Sequence, residues 1–269
     1  MQLKKEGAIM SKEITHASLK KFNRNMGLLH LIQGFLMLGF ALFIERIAEF
    51  RIPIWSYFLT FDETQMRLVT EPNQLGEVPF GIMVSMFLFL SAAAHFIIIS
   101  PWGNPIYNRD LDRGINRFRW YEYALSSSLM IVLIAMLFGV YGIGAILLIV
   151  AANASMNLFG LDMEEINQYT EKTNWKPFIF GSFAGIVPWI VIVLYGFGNA
   201  NPAEVPWFVY ALVGTYFVFF NLFPINMILQ YKKVGKWKNY LYGERGYIVL
   251  SLVAKSVLAW IAFAGVMQP

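Results

Sequence analysis

Lys255 is the only charge in the last apolar run of the chain, Gly246 to Pro269, and Glu122 is the only charge between Trp120 and Leu161. A charge at the centre of an apolar span costs about 3 kcal/mol or more unless it is paired or hydrated, so both are functional candidates. Counted from Gly246, Lys255 lies about 13 Å deep at 1.5 Å per residue, too far in for easy snorkelling. Burial favours the neutral amine, the form that condenses with an aldehyde to give a Schiff base. The protonated imine then needs a carboxylate beside it, and Glu122 is the one that the apolar runs offer. At about 4 Å and an effective dielectric near 20 such a pair gains about 4 kcal/mol, of the order of its desolvation cost. A structural bridge pinning two helices fits the same two residues, and composition leaves both readings open.

His30, His95 and Ser91 also fall inside apolar runs. Ser91 and His95 are four apart and share a helix face, so with His30 they form a candidate proton-accepting cluster; hydrogen-bonded packing is the plainer reading. Too few ligands converge for a metal site, and the absence of cysteine excludes disulfides, thiolate sites and a Cys nucleophile. No nucleophile and base set stands on any loop, so no catalytic residues are expected and the chain is not read as an enzyme. Gly139, Gly142 and Gly144 follow no strand and signal a turn, and the sequon Asn153-Ala-Ser155 lies within an apolar run.

The elements that position these residues are membrane spans. The 269 residues are 57% hydrophobic and only 14% charged, against about 25% in soluble domains. Segment one runs from Met26 to Ile44 and segment two from Val78 to Ser100. The run from Trp120 to Leu161 would make a helix of about 63 Å, twice a bilayer core, and must fold back at its glycines into segments three and four. Pro177 to Gln230 divides likewise at Gly198, Asn199, Asn201, Pro202 and Glu204 into segments five and six, and Gly246 to Pro269 is the seventh. The expected fold is an all-α integral membrane protein, a seven-transmembrane helix bundle. Residues 1–25 read as a retained basic arm, without the apolar core or cleavage site of a secretory signal, and 26–269 as the membrane domain. Residues 45–77 read as an external loop holding a small β-hairpin, from the alternation around Ile54, Trp55, Tyr57 and Phe58.

Charge bias sets the expected orientation. The arm carries Lys4, Lys5, Lys12, Lys20, Lys21 and Arg24; the loop after segment two carries Arg109, Arg113, Arg117 and Arg119. Lys172 and Lys176 follow segment four, and Lys232, Lys233, Lys236, Lys238 and Arg245 follow segment six, whereas the other face has only Arg46, Arg51 and Arg67. The N-terminus is therefore expected in the cytosol and the C-terminus outside.

Two stretches carry a resemblance to a known family. Ser251-Leu-Val-Ala-Lys255-Ser-Val-Leu-Ala-Trp260 resembles the retinal-lysine segment of microbial rhodopsins, and Arg119-Trp-Tyr-Glu122-Tyr-Ala-Leu-Ser-Ser-Ser128 resembles the counterion segment. Within that superfamily the whole chain, with its inverted topology and long first external loop, is similar to heliorhodopsins. The resemblance implies all-trans retinal bound covalently on Lys255, Glu122 as counterion and Ser251 as a polar neighbour of the imine. Phe220-Asn-Leu-Phe223-Pro224-Ile-Asn-Met227 has the superfamily's spacing around a proline, so Phe220, Phe223 and Met227 would line the polyene. Tyr123 and Trp260, within the two quoted stretches, join the same cofactor-binding set. By helical spacing from Glu122, Ser126, Ser127 and Met130 should face the pocket, and Met156 should touch the chromophore, although such stripes also arise from plain packing.

Where outward pumps of the superfamily keep further carboxylates, this chain has Ser251 and Leu133. That implies a light-sensing photoreceptor with a slow photocycle and no net pumping, in which light strains segment six at Pro224 and shifts the cytosolic basic loops. The family resemblance also implies a homodimer among membrane lipids in the cell membrane, with an unnamed cytosolic signalling partner and no nucleic acid. A light-driven ion transporter or channel, and a retinal-free transporter using Lys255 and Glu122 as a coupling pair, are the alternatives.

Overall fold

The computed structural model describes residues 14–198 and 207–267. Lys4, Lys5 and Lys12, and the break expected at Asn199 to Glu204, lie outside them. Among the described residues seven helices are long and apolar enough to cross a membrane. They are α1 (His16–Phe43), α3 (Phe80–Ile99), α5 (Arg117–Leu137), α6 (Ile143–Ile166), α7 (Lys176–Phe197), α8 (Trp207–Tyr231) and α9 (Tyr240–Val266). Two short helices, α2 (Glu45–Ala48) and α4 (Gly103–Asp112), sit between them.

Helix α1 starts well before the uncharged run at Met26. Thr15 caps it, its hydroxyl accepting from the Ser18 amide at 3.2 Å while the Ser18 hydroxyl accepts from the Thr15 amide at 2.9 Å. Lys20, Lys21 and Arg24 thus lie on helix. Gly27 allows α1 to lie close to α3: a Cβ there would stand 3.0 Å from His95 Cβ. The turn between α5 and α6 falls at the glycines, with Gly139 at a φ of +92° and Gly142 capping α6.

The first connection holds an antiparallel hairpin, β1 (Arg51–Asp62) and β2 (Arg67–Pro79), with a register shift between Ile54 and Trp55. It reaches two residues past Glu77 and is tied to the bundle where the Trp55 amide donates to Tyr141 O at 2.9 Å. At its tip the Asp62 carboxylate accepts from the Thr64 hydroxyl and from the Thr64 and Gln65 amides, which holds its pKa below the ordinary value.

The bundle has two unlike halves. Toward the hairpin its interior is apolar: Met37, Phe80, Val84, Phe87, Leu88, Leu133, Ile134, Ala259 and Phe263 are buried in one cluster. Toward the start of α1 it is polar, and here the sequence reading needs correction. Glu122 is not the only carboxylate in a span. Helices α6 and α9 run beyond the apolar segments and bury Glu164 and Glu244, and the supposed loop residue Arg119 is an inward-facing residue of α5. Arg119 bonds both carboxylates. Glu164 also accepts from Trp120 Nε1 at 2.6 Å and Tyr240 Oη at 3.0 Å, and Glu244 accepts from Tyr107 Oη at 2.9 Å and Asn116 Nδ2 at 2.8 Å. Charges at the ends of apolar runs look like surface in a sequence, but paired and saturated with donors they continue the helix inward.

Removing the shared cation leaves two carboxylates buried together. Arg119→Met is expected to destabilise the bundle by about 3–5 kcal/mol, read as a lowered midpoint of thermal unfolding in detergent, whereas Arg109→Met on the exposed face of α4 should leave the midpoint within error.

Candidate functional site

Lys255 stands near the middle of α9, deeper than a helix starting at Gly246 would put it, because the helix begins at Tyr240. Side chains on a helix lean toward its N-terminus, which sends the lysine toward the polar half of the bundle. There its Nζ donates to Glu122 Oε1 at 2.6 Å and to the Ser91 hydroxyl, and Ser91 donates to the same Glu122 oxygen at 2.6 Å. The pair is almost wholly buried, with side chains 4% and 9% exposed. Lys255 Nζ also lies 5.3 Å from the centre of the Tyr123 ring, which adds a cation–π contact.

On the other side of Lys255 is an apolar cavity of about 310 Å³ between α5, α6, α7, α8 and α9. Of the residues expected there, Lys255, Tyr123, Ser127, Met130, Met156, Phe220, Phe223 and Met227 line it. Glu122, Ser251, Ser91 and His95 instead border a smaller cavity of about 30 Å³ reaching toward Arg119 and Glu244. Ser126 is buried one turn from Glu122 and lines neither. His30 is buried against His95, the rings stacked with centroids 5.5 Å apart, and neither of its nitrogens has a hydrogen-bond partner among the described residues. Trp260 does not reach the cavity. Five residues beyond Lys255 is about 140° around the helix, so Trp260 is 45% exposed and packs edge-on against Phe40 at 6.1 Å.

The cavity also has walls that sequence reasoning missed. Trp120 and Trp189 are the largest of them. Gly160 of α6 lies flat against the Trp120 ring, where any Cβ would collide with it. Asn157 lines the cavity too, in an amide network that joins α6 to α5: Asn153 Nδ2 donates to the Ser127 and Ser128 hydroxyls at 2.7 and 3.0 Å, and Asn157 Nδ2 to Ser127 at 3.0 Å. Two asparagines four apart inside an apolar run were a legible signal of an inward-facing polar pair.

Chemically this is a buried amine with a fixed carboxylate on one side and a long aromatic-walled hole on the other. The apolar walls would suit a polyene aldehyde, for which Lys255 would supply a condensing nitrogen and Glu122 and Ser91 would lie within bonding distance of the resulting positive charge. Among the described residues no cluster of His, Cys, Asp and Glu could hold a metal ion. The family model described as Heliorhodopsin matches residues 19–267. No curated protein matches the chain.

Because the two charges are each other's compensation, removing one alone is expected to cost about 3–5 kcal/mol. In the protein without added aldehyde, Lys255→Met and Glu122→Gln should each lower the unfolding midpoint, and the double variant should recover most of the loss. Additive losses would mean that the two side chains are not coupled.

Proposed function

The chain belongs to the heliorhodopsin family of retinal-binding light receptors, and from that premise we propose that Lys255 Nζ carries all-trans retinal as a protonated Schiff base with Glu122 as its counterion. The observation that carries this reading is the position of Lys255, bonded to Glu122 and Ser91 on one side and open to the aromatic cavity on the other. Retinal supplies visible absorption and light-driven isomerisation. The protein's own residues do the rest. Glu122 and Ser91 hold the proton on Lys255 Nζ in the dark, Tyr123, Phe220, Phe223 and Trp189 confine the polyene and exclude water, and Ser127 and Asn157 present fixed dipoles along it.

The reading includes a slow cycle without net ion pumping. Transport across the membrane needs a chain of polar groups on both sides of Lys255, and most of the described buried polar groups gather on one, with Ser85 and the Tyr216 hydroxyl isolated among apolar residues on the other. From Lys255 toward the start of α1 lie Ser91, Glu122, His95, Asn23, Glu244 and Arg119; toward the hairpin α9 presents Leu258, Ala259, Ala262 and Phe263 to the apolar cluster. A proton leaving Nζ has places to go and return from, but no described polar route onward. His95, stacked on His30 and facing the same small cavity as Glu122, is the proposed temporary acceptor.

The basic residues at the ends of α1, α6 and α8 and in α4 support an N-terminus in the cytosol and a C-terminus outside, by the positive-inside rule. On that orientation the polar half faces the cytosol, where a signalling partner would read the change, and the hairpin is external. The proposal extends to a homodimer in the cell membrane, for which the membrane lipid is the solvent.

Purified protein supplied with all-trans retinal is expected to develop a visible band that Lys255→Ala lacks, and Glu122→Gln should displace the band or make it dependent on external anions. A colourless wild type would sink the retinal reading. Illuminated cells expressing the protein should show no sustained change of external pH; a lasting, uncoupler-sensitive change would favour a transporter.

A further inference from the structure

Among the described residues His95 has one hydrogen-bond partner, Asn23 of α1, whose Oδ1 lies 2.7 Å from His95 Nδ1. The orientation of that amide is set by its other side. Asn23 Nδ2 donates to Leu19 O at 3.0 Å and to Tyr107 Oη at 3.3 Å. Turning the amide over would set its oxygen against the Leu19 carbonyl, two acceptors face to face in a buried place, and Asn23 is fully buried. Tyr107 is held in turn. Its oxygen accepts from Asn23, so its proton goes to Glu244 Oε1 at 2.9 Å, and Glu244 is kept as an acceptor by Arg119 and Asn116. Burial and the neighbouring Glu244 carboxylate hold the Tyr107 hydroxyl pKa well above its ordinary value, so it remains a donor.

The bonds therefore point one way from His95 through Asn23 and Tyr107 to Glu244, which accepts from Arg119 and Asn116 on its other side. Only an N–H at Nδ1 can bond the Asn23 oxygen, and a neutral imidazole with its hydrogen on Nδ1 has its lone pair on Nε2. Nε2 hydrogen-bonds none of the described residues, and the ring borders the small cavity that Ser91 and Glu122 share. The groups that face His95 are His30, Glu122 and Lys255, and none of them bonds Nδ1.

We propose that Asn23, anchored by Tyr107 and Glu244, is a positioning residue that locks His95 in its Nδ1–H tautomer and so presents Nε2 as the acceptor for the proton that leaves Lys255 Nζ. The inference rests on the photoreceptor reading and on His95 as temporary acceptor. In the step, the N–H bond at Lys255 breaks and one forms at His95 Nε2; the Lys255 nitrogen becomes neutral, His95 becomes imidazolium, and Glu122 keeps its charge. The imidazolium is stabilised by the Nδ1–H bond already made to Asn23, so no amide has to reorient when the proton arrives.

The tautomer can be read without retinal. The chain has three histidines, so nitrogen-15 NMR of histidine-labelled protein resolves them individually. His95 is expected as Nδ1–H in the wild type and in Asn23→Asp, whose carboxylate still accepts. It should turn to Nε2–H or a mixture in Asn23→Leu and, less completely, in Tyr107→Phe. In flash photolysis of the pigment, the fraction of molecules that lose the Nζ proton should fall about tenfold or more in Asn23→Leu and recover in Asn23→Asp. An Nε2–H tautomer in the wild type, or an Asn23→Leu protein that keeps both tautomer and proton transfer, would overturn the proposal. If Asn23→Leu does not fold, Tyr107→Phe and Asn23→Asp carry the same test. A His95→Phe protein that deprotonates normally would instead overturn the acceptor reading beneath it, while the NMR result would still judge the role of Asn23 by itself.

Discussion

The cost of an unpaired charge in an apolar interior governs this molecule. Lys255 cannot remain charged near the middle of α9 unless Glu122 comes to it from α5, and Glu122 cannot remain a carboxylate there without Lys255 and Ser91. That requirement sets the relative placement of α3, α5 and α9, whose three side chains meet within hydrogen-bond distance. Everything else at the site is arranged around the result. The aromatic cavity lies on the side of Lys255 that has no charge, and the histidines lie on the side that does.

The same rule explains which parts were legible in the sequence. Lys255 and Glu122 stood out because each interrupts a long uncharged run, and seven runs of spanning length with glycine and proline breaks were enough for the bundle. The hairpin showed through its alternation of apolar and polar residues. Arg119, Glu164 and Glu244 did not stand out, because each lies at the end of an apolar run among charges that face water. Nothing local separates Glu164 from its neighbour Glu165, or Glu244 from Arg245; only the packing of α5, α6 and α9 around Arg119 does. Asn23 was hidden for the same reason, within what reads as a basic arm, although Thr15 and Ser18 announce the helix that carries it. Trp260 failed in the opposite sense: membership of a recognisable stretch did not place it on the cavity face, because helical phase decides that.

The two halves of the bundle show how division of polarity follows from burial. The hairpin half packs Met, Phe, Leu and Ile side chains with few polar groups to satisfy, and Ser85, buried there, donates to the Ile82 carbonyl of its own helix. The other half has to satisfy a guanidinium, several carboxylates, two histidines and several amides at once, and does so through bonds that cross between helices. Cross-helix bonds of this kind fix relative positions more tightly than apolar contact, since each has a short distance range and a direction. The rigid half is thus the one that contacts Lys255 from the carboxylate side, and the adaptable half is apolar.

That division bears on how light energy could be used. Trp120 lines the aromatic cavity, and its indole nitrogen is bonded to Glu164. Lys255 is bonded to Glu122, and His95, which borders the same small cavity as Glu122, is linked onward to Asn23, Tyr107 and Glu244. Both sets of contacts end at one place, the Arg119 cluster, one through Trp120 and Glu164 and the other through Asn23, Tyr107 and Glu244. Because Arg119 bonds both carboxylates, a shift in either bond changes the balance at the other. A buried cation shared between two anions thus holds the ends of α5, α6 and α9 together, beside the small cavity and, through Glu164 and Trp120, next to the wall of the large one.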